Sequence, residues 1–415
     1  MPRVVDSEVE RALRIVGGLV IEGARGCGKT ETGRHHAGSV VRLDTDDEAF
    51  ASARLDPGLV LGGDAPRFID EWQMEPRLWN RVRQAVDDAR QPGRFILAGS
   101  ATPADDVTRH SGAGRILRLR MRPMSLHESG HSIGAVSLGS LLSGAPGSVC
   151  ESSLGLPEIA ERICVGGWPG LIAHAPEDTF PILDSYLADV ARAEIAAFGE
   201  DVPRRDPTRV ALLIRAYARH ISTPATLATI ARDTAEEGAP VDPATARAYL
   251  SLLERVMVVE EQPAWGSHLR SRDTVRRAPV RHFVDPSLAA AALGAGPTRL
   301  LRDPNTFGLL FESLVIRDLR IYAQALGGRV LHHRDSSGAE SDAVIVLPDG
   351  RWALVEVKLA GAQADAAVTS QAKLAARIDS TRIGPPTARI VVTGGQRGYP
   401  HPGGATVVPL GCLGP

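Results

Sequence analysis

Residues Leu19 to Thr30 read Leu-Val-Ile-Glu-Gly-Ala-Arg-Gly-Cys-Gly-Lys-Thr, an apolar run that ends directly on Gly23, Gly28, Lys29 and Thr30 in GxxxxGKT spacing. Those types at that spacing suit capture of a polyphosphate. Glycines let successive backbone N–H groups curl around an anion, the lysine reaches the outer phosphates, and a threonine hydroxyl ligates Mg2+. A helix starting here adds its positive end. Gly23, Ala24, Arg25, Gly26, Cys27, Gly28, Lys29, Thr30 and Glu31 are therefore the expected nucleotide-binding residues. A glycine turn before an ordinary helix is the plainer alternative, but it has no need of the lysine. The chain holds only three lysines, Lys29, Lys358 and Lys373, against 44 arginines. A lysine kept in such a chain marks a place where a compact ammonium is wanted.

A second stretch, Pro66-Arg67-Phe68-Ile69-Asp70-Glu71-Trp72-Gln73, delivers two adjacent carboxylates at the end of a short apolar run. Alone, that pattern is a solvated strand end. Behind a phosphate loop it reads as the metal and water site: Asp70 holds Mg2+, with Thr30, and Glu71 polarises the attacking water. Arg94 to Ser100 then forms a further core strand ending in a small polar group. Ser100 is the candidate γ-phosphate sensor, Thr102 its nearby competitor, and a hydroxyl capping a turn the plain alternative. Arg115, entering the next strand through Gly112 and Gly114, is either near the phosphates or an ordinary surface arginine.

The third stretch lies near the far end of the chain. Glu340-Ser341-Asp342-Ala343-Val344-Ile345-Val346-Leu347, a Pro348-Asp349-Gly350 turn, and Arg351 to Leu359 fold naturally as a hairpin. Pairing 347 with 351 puts Asp342 opposite Glu356. Opposed side chains have Cβ atoms about 5 Å apart, close enough for one divalent cation between them. The two-residue period places Lys358 on the same face. Two acids and a lysine so arranged can bind Mg2+ and activate water for phosphodiester attack, the geometry of a PD-(D/E)XK nuclease core, with Glu312 on a preceding helix as a further acid. A surface hairpin with a salt bridge is the alternative. The expected metal ligands are thus Thr30, Asp70, Asp342 and Glu356, and the expected catalytic residues Lys29, Glu71, Ser100 and Lys358.

The elements that must hold these groups follow from periodicity. Strands at Ser39–Asp44, Arg94–Ser100 and Gly112–Arg120, with the short apolar run within Pro66–Gln73, alternate with helices at Thr30–Ala37 and Trp79–Arg90, which predicts a parallel sheet covered on both faces. Ser129 to Cys150 has no charged residue and is broken throughout by Gly, Ser and Pro, so it suits a loop or loosely packed helical lid rather than a membrane span. The turn Gly166-Gly167-Trp168-Pro169-Gly170 is expected to pack its aromatic into the sheet domain. Phe180 to Phe198 is helical. Asp206–His220, Thr223–Ala235 and Asp242–Arg255 give three helices, with Thr223 and Asp242 as N-caps, followed by a short strand candidate at Val256–Glu260. Three helices with a small β wing describe a winged helix, which serves either DNA contact or domain spacing. Arg270, Arg272, Arg276, Arg277 and Arg281 lie just beyond. Phe307–Tyr322 and Gln371–Ile378 are helices, Ala388–Thr393 and Ala405–Leu410 later strands, and Gly394–Gly404 a loop.

At 415 residues the chain is long for one core. A net charge of −2 and a pI near 6.6 exclude a broadly basic protein, so DNA contact would need a local patch. Four scattered cysteines have neither metal-ligand spacing nor the density of a disulfide scaffold, which fits a reduced cytoplasmic setting. The N-terminus carries acids where a secretory signal would carry an apolar core.

The order phosphate loop, Asp-Glu-Trp-Gln, Ala-Gly-Ser, Gly-Gly-Trp-Pro, winged helix, Phe-Val-Asp-Pro-Ser-Leu at 283–288, Glu-Ser-Asp and Val-Glu-Val-Lys resembles a large group of prokaryotic AAA-type ATP-binding proteins. The C-terminal portion of that group is a domain of unknown function with a restriction-endonuclease-like fold. Nearly the whole chain is covered. Trp72 and Trp168 stand where other aliphatic or aromatic residues are usual, a variation in packing. The resemblance implies ATP on Gly23 to Thr30 and Asp70-Glu71, and a nuclease-like site at Asp342, Glu356 and Lys358. Adenine over guanine is implied by it alone, and no guanine-reading Asn-Lys-x-Asp stretch occurs. The expected fold class is α/β: a P-loop NTPase parallel sheet, then a winged-helix module, then a restriction-endonuclease-like α/β domain. The expected boundaries are 1–128 for the ATPase, 129–205 for a helical lid or connector, 206–285 for the winged helix and 286–415 for the nuclease-like domain. The expected activity is a Mg2+-dependent ATPase acting as a conformational switch for a DNA-associated C-terminal domain. An ATP-regulated DNA endonuclease and a non-hydrolysing, nucleotide-gated DNA-binding adaptor are the alternatives. ATP and DNA are the expected partners, no membrane is expected, and the oligomeric state is open.

Overall fold

A computed structural model describes residues 1–99, 112–194, 206–237, 240–266, 277–335, 338–381 and 383–415. The chain divides into two compact units, one built on Met1–Pro123 and the other on Met124–Ala193, Asp206–Ser251 and Val259–Pro415.

In the first unit, α1 (Asp6–Ile15), β1 (Gly18–Glu22), α2 (Lys29–His35), β2 (Ser39–Arg42), α3 (Asp47–Leu55), β3 (Arg67–Asp70), α4 (Leu78–Ala89), β4 (Phe95–Gly99) and β5 (Ile116–Arg120) follow in order. The five strands form one parallel sheet in the order β2-β3-β4-β1-β5. Every residue of β4 and all but the last of β1 are buried. Strands covered on both faces read as continuous apolar runs, as Leu19-Val20-Ile21 and Phe95-Ile96-Leu97 do. The chain leaves β1 for β2, three places away, while β4 is followed by β5 on the other side of β1. Such a reversal opens a crevice beyond the carboxyl ends of the strands. Trp72 and Trp79 pack together in the core of this unit, ring centroids 5.5 Å apart.

The second unit begins with β6 (Val136–Ser137), α5 (Leu138–Leu142) and β7 (Cys150–Glu151). Helices α6 (Leu156–Val165), α7 (Pro176–Asp189), α8 (Pro207–Arg219), α9 (Leu227–Asp233), α10 (Pro243–Arg255), α11 (Pro286–Ala292), α12 (Pro297–Arg302) and α13 (Pro304–Ala325) follow. The C-terminal part is β8 (Arg329–Arg334), β9 (Glu340–Val346), β10 (Trp352–Lys358), α14 (Ala364–Arg377), β11 (Ala388–Thr393), β12 (Arg397–Pro400), β13 (Thr406–Pro409) and β14 (Leu413–Gly414). Seven strands make a mixed sheet in the order β7-β12-β13-β11-β10-β9-β8, antiparallel from β8 to β10 and parallel across β10-β11-β13.

Several local expectations change. Ser129–Cys150 is packed rather than loose: Leu138, Leu141 and Leu142 are buried, β6 pairs with β14, and β7 at its end pairs with β12. Gly394–Gly404 is not all loop, because Arg397–Pro400 is the strand that receives β7. Asp242 caps α10 through the Ala244 and Thr245 N–H groups, as expected. Thr223 does not cap α9; its hydroxyl donates to the His220 carbonyl, and Thr226 takes the Thr229 N–H instead. Trp168 donates to Ser287 Oγ at 2.9 Å and packs on Tyr186, so the Gly-Gly-Trp-Pro turn is held within the second unit. Beneath it, Arg317 is buried between two buried acids, 2.9 Å from Asp285 and 2.7 Å from Asp318. Asp285 also accepts the Gly167 N–H, and Asp318 the Leu126 N–H. The Asp-Pro-Ser motif at 285–287 therefore serves a buried ion-pair network. Between α10 and α11, among the described residues, extended pieces are bridged at Val259–Phe283 and Gln262–Val280, and Ala264 bridges to His332.

Candidate functional site

The loop leaving β1 is shaped by its glycines. A Cβ on Gly23 would lie 2.2 Å from the Met121 carbonyl oxygen, and Gly28, at the start of α2, has φ 105°, where a side chain is strained. Cys27 contributes backbone only. Its thiol is buried against the Met121 carbonyl at 3.6 Å, while Arg25 and Gly26 are exposed at the tip. Lys29 is almost fully buried, and its ammonium donates to the Gly23 and Ala24 carbonyls at 2.8 and 3.0 Å. The charge thus sits inside the loop. Glu31 is exposed and paired with Arg34 on the same helix at 3.2 Å.

β3 brings Asp70 to the same end of the sheet. The Thr30 hydroxyl donates to Asp70 Oδ2 at 2.9 Å, and the Arg42 guanidinium stands 3.6 Å from that oxygen. Asp70 is 1 % exposed, and its other oxygen, Oδ1, has no hydrogen-bond partner. Burial pushes its carboxyl above the ordinary range, more than the Thr30 hydrogen bond pulls it down, with Glu71 and Asp44 adding to the rise. A buried carboxylate with an unused oxygen beside a threonine hydroxyl is a donor set that fits a hard cation such as Mg2+. Glu71 follows in a left-handed conformation, φ 53° and ψ 40°, uncommon for a residue with a side chain. Its Oε2 accepts a hydrogen bond from the Gln73 amide. Lys29, Thr30, Asp70 and Glu71 therefore converge at the carboxyl ends of β1 and β3.

Ser100 and Thr102 lie outside the described residues. Arg115 precedes β5 at the opposite end of the sheet, where its carbonyl accepts the Gly18 N–H and its guanidinium pairs with Asp87. Within its own chain it is a surface ion-pair residue and not a phosphate ligand. Arg42 and Gln73 were not singled out by spacing. Gln73 is visible only as the second residue after Asp70-Glu71, and Arg42 only as an arginine inside the strand candidate Ser39–Asp44.

In the second unit the hairpin has the register set by its turn: Trp352 pairs with Val346, and the ladder runs to Val355 and Ala343. One step further, Asp342 faces Glu356. There the ladder stops because the Val357 N–H donates to the Asp342 carboxylate at 2.7 Å. Lys358 donates to Glu356 Oε1 at 2.8 Å. Burial pushes the Glu356 carboxyl up to about 7, with the neighbouring Asp342 adding to the rise and Lys358 opposing it. Burial likewise raises Asp342, and raises Glu312 well above its usual value with Asp342 as the next cause. Burial works against the Lys358 charge, but Asp342 and Glu356 together outweigh it and raise its pKa. Asp342, Glu356, Lys358 and Glu312 are thus one electrostatic cluster. Among the described residues, no group of three or more His, Cys, Asp or Glu is placed to hold a metal ion. Arg270, Arg272 and Arg276 lie outside the described residues. Arg281 is buried and paired with Glu261. No helix among the described residues is long and apolar enough to cross a membrane.

Three family models match successive parts of the chain. Residues 156–299 match a domain of unknown function, DUF8612, and residues 307–413 another, DUF4143. An uncharacterized protein of Mycobacterium bovis and one of Mycobacterium tuberculosis are each 26% identical over 359 residues, which is 85% of this chain and 72% of the relative. Among solved structures, the Walker-type ATPase of Pyrococcus abyssi aligns over 69% of this chain and 94% of its own, with 13% identity and a TM-score of 0.41. AMPPCP-bound DnaA from Aquifex aeolicus aligns over 60% and 86%, with 16% identity and a TM-score of 0.24. The third model, an AAA domain, matches residues 17–130, the segment that holds the phosphate loop, the parallel sheet and Asp70. The N-terminal part of this chain, residues 17–130, is accordingly similar to an AAA domain.

Proposed function

We propose that the protein hydrolyses ATP with Mg2+ and uses the cycle as a conformational switch for its C-terminal part. The observation that carries this reading is the unused, buried Oδ1 of Asp70 beside the Thr30 hydroxyl, with Glu71 next in sequence. Lys29 would exchange its two loop carbonyls for phosphate oxygens. Thr30 and Asp70 would hold the metal, whose role is to neutralise charge on the phosphates. Glu71 would accept the proton of the attacking water, a role that a site built only to hold nucleotide does not require. The Gln73 amide on its carboxylate restrains it. ATP turnover measured with and without duplex and single-stranded DNA, on wild type and Lys29→Ala, tests the reading. Turnover that needs Mg2+ and Lys29 supports ATPase function. Tight ATP binding with negligible turnover would favour the nucleotide-gated adaptor.

A second activity, ATP-regulated DNA cleavage, is favoured by one observation: Lys358 bonded to Glu356 on the hairpin face that also carries Asp342. In this reading Asp342 and Glu356 hold a divalent cation, and Lys358 stabilises negative charge on the scissile phosphate. Extended segments bridged behind three helices support a winged-helix reading of 206–285, with DNA as its partner. Lys358→Ala should lose cleavage while keeping ATP hydrolysis. No cutting by wild type across DNA forms and divalent metals would remove this activity and leave the ATPase reading standing.

A further inference from the structure

The hairpin acid Asp342 is tied to a part of the chain that no motif marks. Strands β8 and β9 pair Leu331 with Val344 and His333 with Ser341, so the register slips at His332. A bulge of this kind leaves backbone groups without ladder partners. Here the segment after Gln262 fills the gap. The His332 N–H donates to the Pro263 carbonyl at 2.9 Å, and the Trp265 N–H donates to the His332 carbonyl at 2.6 Å. Two carbonyls beside the slip, those of Leu331 and of Asp342 itself, face the same segment. The Gln262 side-chain amide donates to both, at 3.1 and 2.9 Å.

The other end of that amide is also held. Gln262 Oε1 lies 3.2 Å from His282 Nε2, and His282 Nδ1 lies 3.1 Å from Ser313 Oγ. Gln262 and His282 are fully buried, and Ser313 is 2 % exposed. An amide oxygen only accepts, so His282 is protonated at Nε2 and accepts from the Ser313 hydroxyl at Nδ1. Burial holds this imidazole neutral, well below its ordinary pKa. Ser313 is the neighbour of Glu312 on α13. One buried chain of hydrogen bonds therefore runs from the helix residue beside Glu312, through His282 and Gln262, to the main chain of Asp342.

We propose that Gln262 and His282 are positioning residues for the Asp342–Glu356 carboxylate pair, locking the Asp342 segment of β9 to the helix that carries Glu312. The inference rests on reading the hairpin as a divalent-cation site. Without the amide, the Asp342 carbonyl loses its Gln262 donor next to the bulge, and the carboxylate above it is directed by the Val357 N–H on a less firmly held backbone. Groups that orient metal ligands typically change affinity by about 10- to 100-fold when removed.

The test is calorimetric titration of Mn2+ into the full chain carrying Asp70→Asn, so that the hairpin reports alone. Gln262→Leu, close in volume but without the amide, should bind Mn2+ about tenfold more weakly. ATP affinity, measured with Asp70 intact, should be unchanged, and the cooperative urea unfolding of the chain should be retained. Adding Gln262→Leu to Asp342→Asn should cost nothing further. Ser313→Ala, which removes only the last link, should weaken Mn2+ in the same direction and by less. Parental affinity in folded Gln262→Leu overturns the proposal; if that variant does not fold, parental affinity in Ser313→Ala does so. Should the parent give the same heat as Asp342→Asn, the hairpin holds no cation, and the cation-site reading falls together with this inference.

Discussion

The Thr30 hydroxyl donates to Asp70 Oδ2 at 2.9 Å across 40 residues of sequence. The contact joins the end of the phosphate loop to the end of β3, and it leaves Asp70 Oδ1 buried with nothing to bond. A carboxylate in that condition gains most from a cation. Asp70→Asn, which keeps the shape and removes the charge, should weaken ATP binding at least about tenfold in Mg2+ and much less in EDTA. Equal losses in both media would mean that Asp70 does not act through a metal.

Glu71→Gln should leave ATP affinity within about twofold while turnover falls about 100-fold or more, the range expected for loss of a general base. Steady-state hydrolysis beside equilibrium binding of a fluorescent ATP analogue checks this. Undiminished turnover would transfer the role to another group.

Arg317 bridges the buried acids Asp285 and Asp318. Burial is the main influence opposing its charge, and the two acids more than compensate, so that it stays ionised. Arg317→Met would leave two buried carboxylates facing one another and should cost about 3–5 kcal/mol in urea unfolding. A double change of Asp285 and Asp318 to Asn in the same background should recover part of that loss.

His332 has a folded-state pKa of about 4, lowered chiefly by burial. An unfolded histidine takes up its proton near pH 6.5. Below that value the unfolded chain binds a proton that the folded chain refuses, so stability falls as pH drops from about 6.5 toward 4. The expected loss is about 2 kcal/mol at pH 5. Glu356, raised to about 7, acts with the opposite sign in the same window, because the folded state holds its proton longer than the unfolded one. The comparison isolates His332: between pH 7.5 and 5, urea stability of His332→Leu should fall by about 2 kcal/mol less than that of wild type. Parallel pH profiles for the two proteins would show that His332 titrates normally.

Much of this was legible because it is local. The GxxxxGKT spacing, the Asp70-Glu71 pair and the Pro348-Asp349-Gly350 turn each act over a few residues, where backbone geometry leaves little choice. The turn alone set the hairpin register that faces Asp342 with Glu356. What failed depended on distant partners. Arg115 reads equally as a phosphate ligand or a surface residue until the parallel register puts it beside Gly18, at the wrong end of β1. Trp168 gives no sign from its turn that its partner is Ser287.

By itself the sequence determined which groups the two clusters present, since glycine, lysine and carboxylate spacing fixes what a single loop or hairpin can bring together. Only the tertiary structure decided what holds them: Thr30 on Asp70, Gln73 on Glu71, and the chain from Ser313 through His282 and Gln262 to Asp342. Buried polar groups must find partners wherever the fold brings them, and a bulge at His332 creates that demand with no residue pattern to announce it.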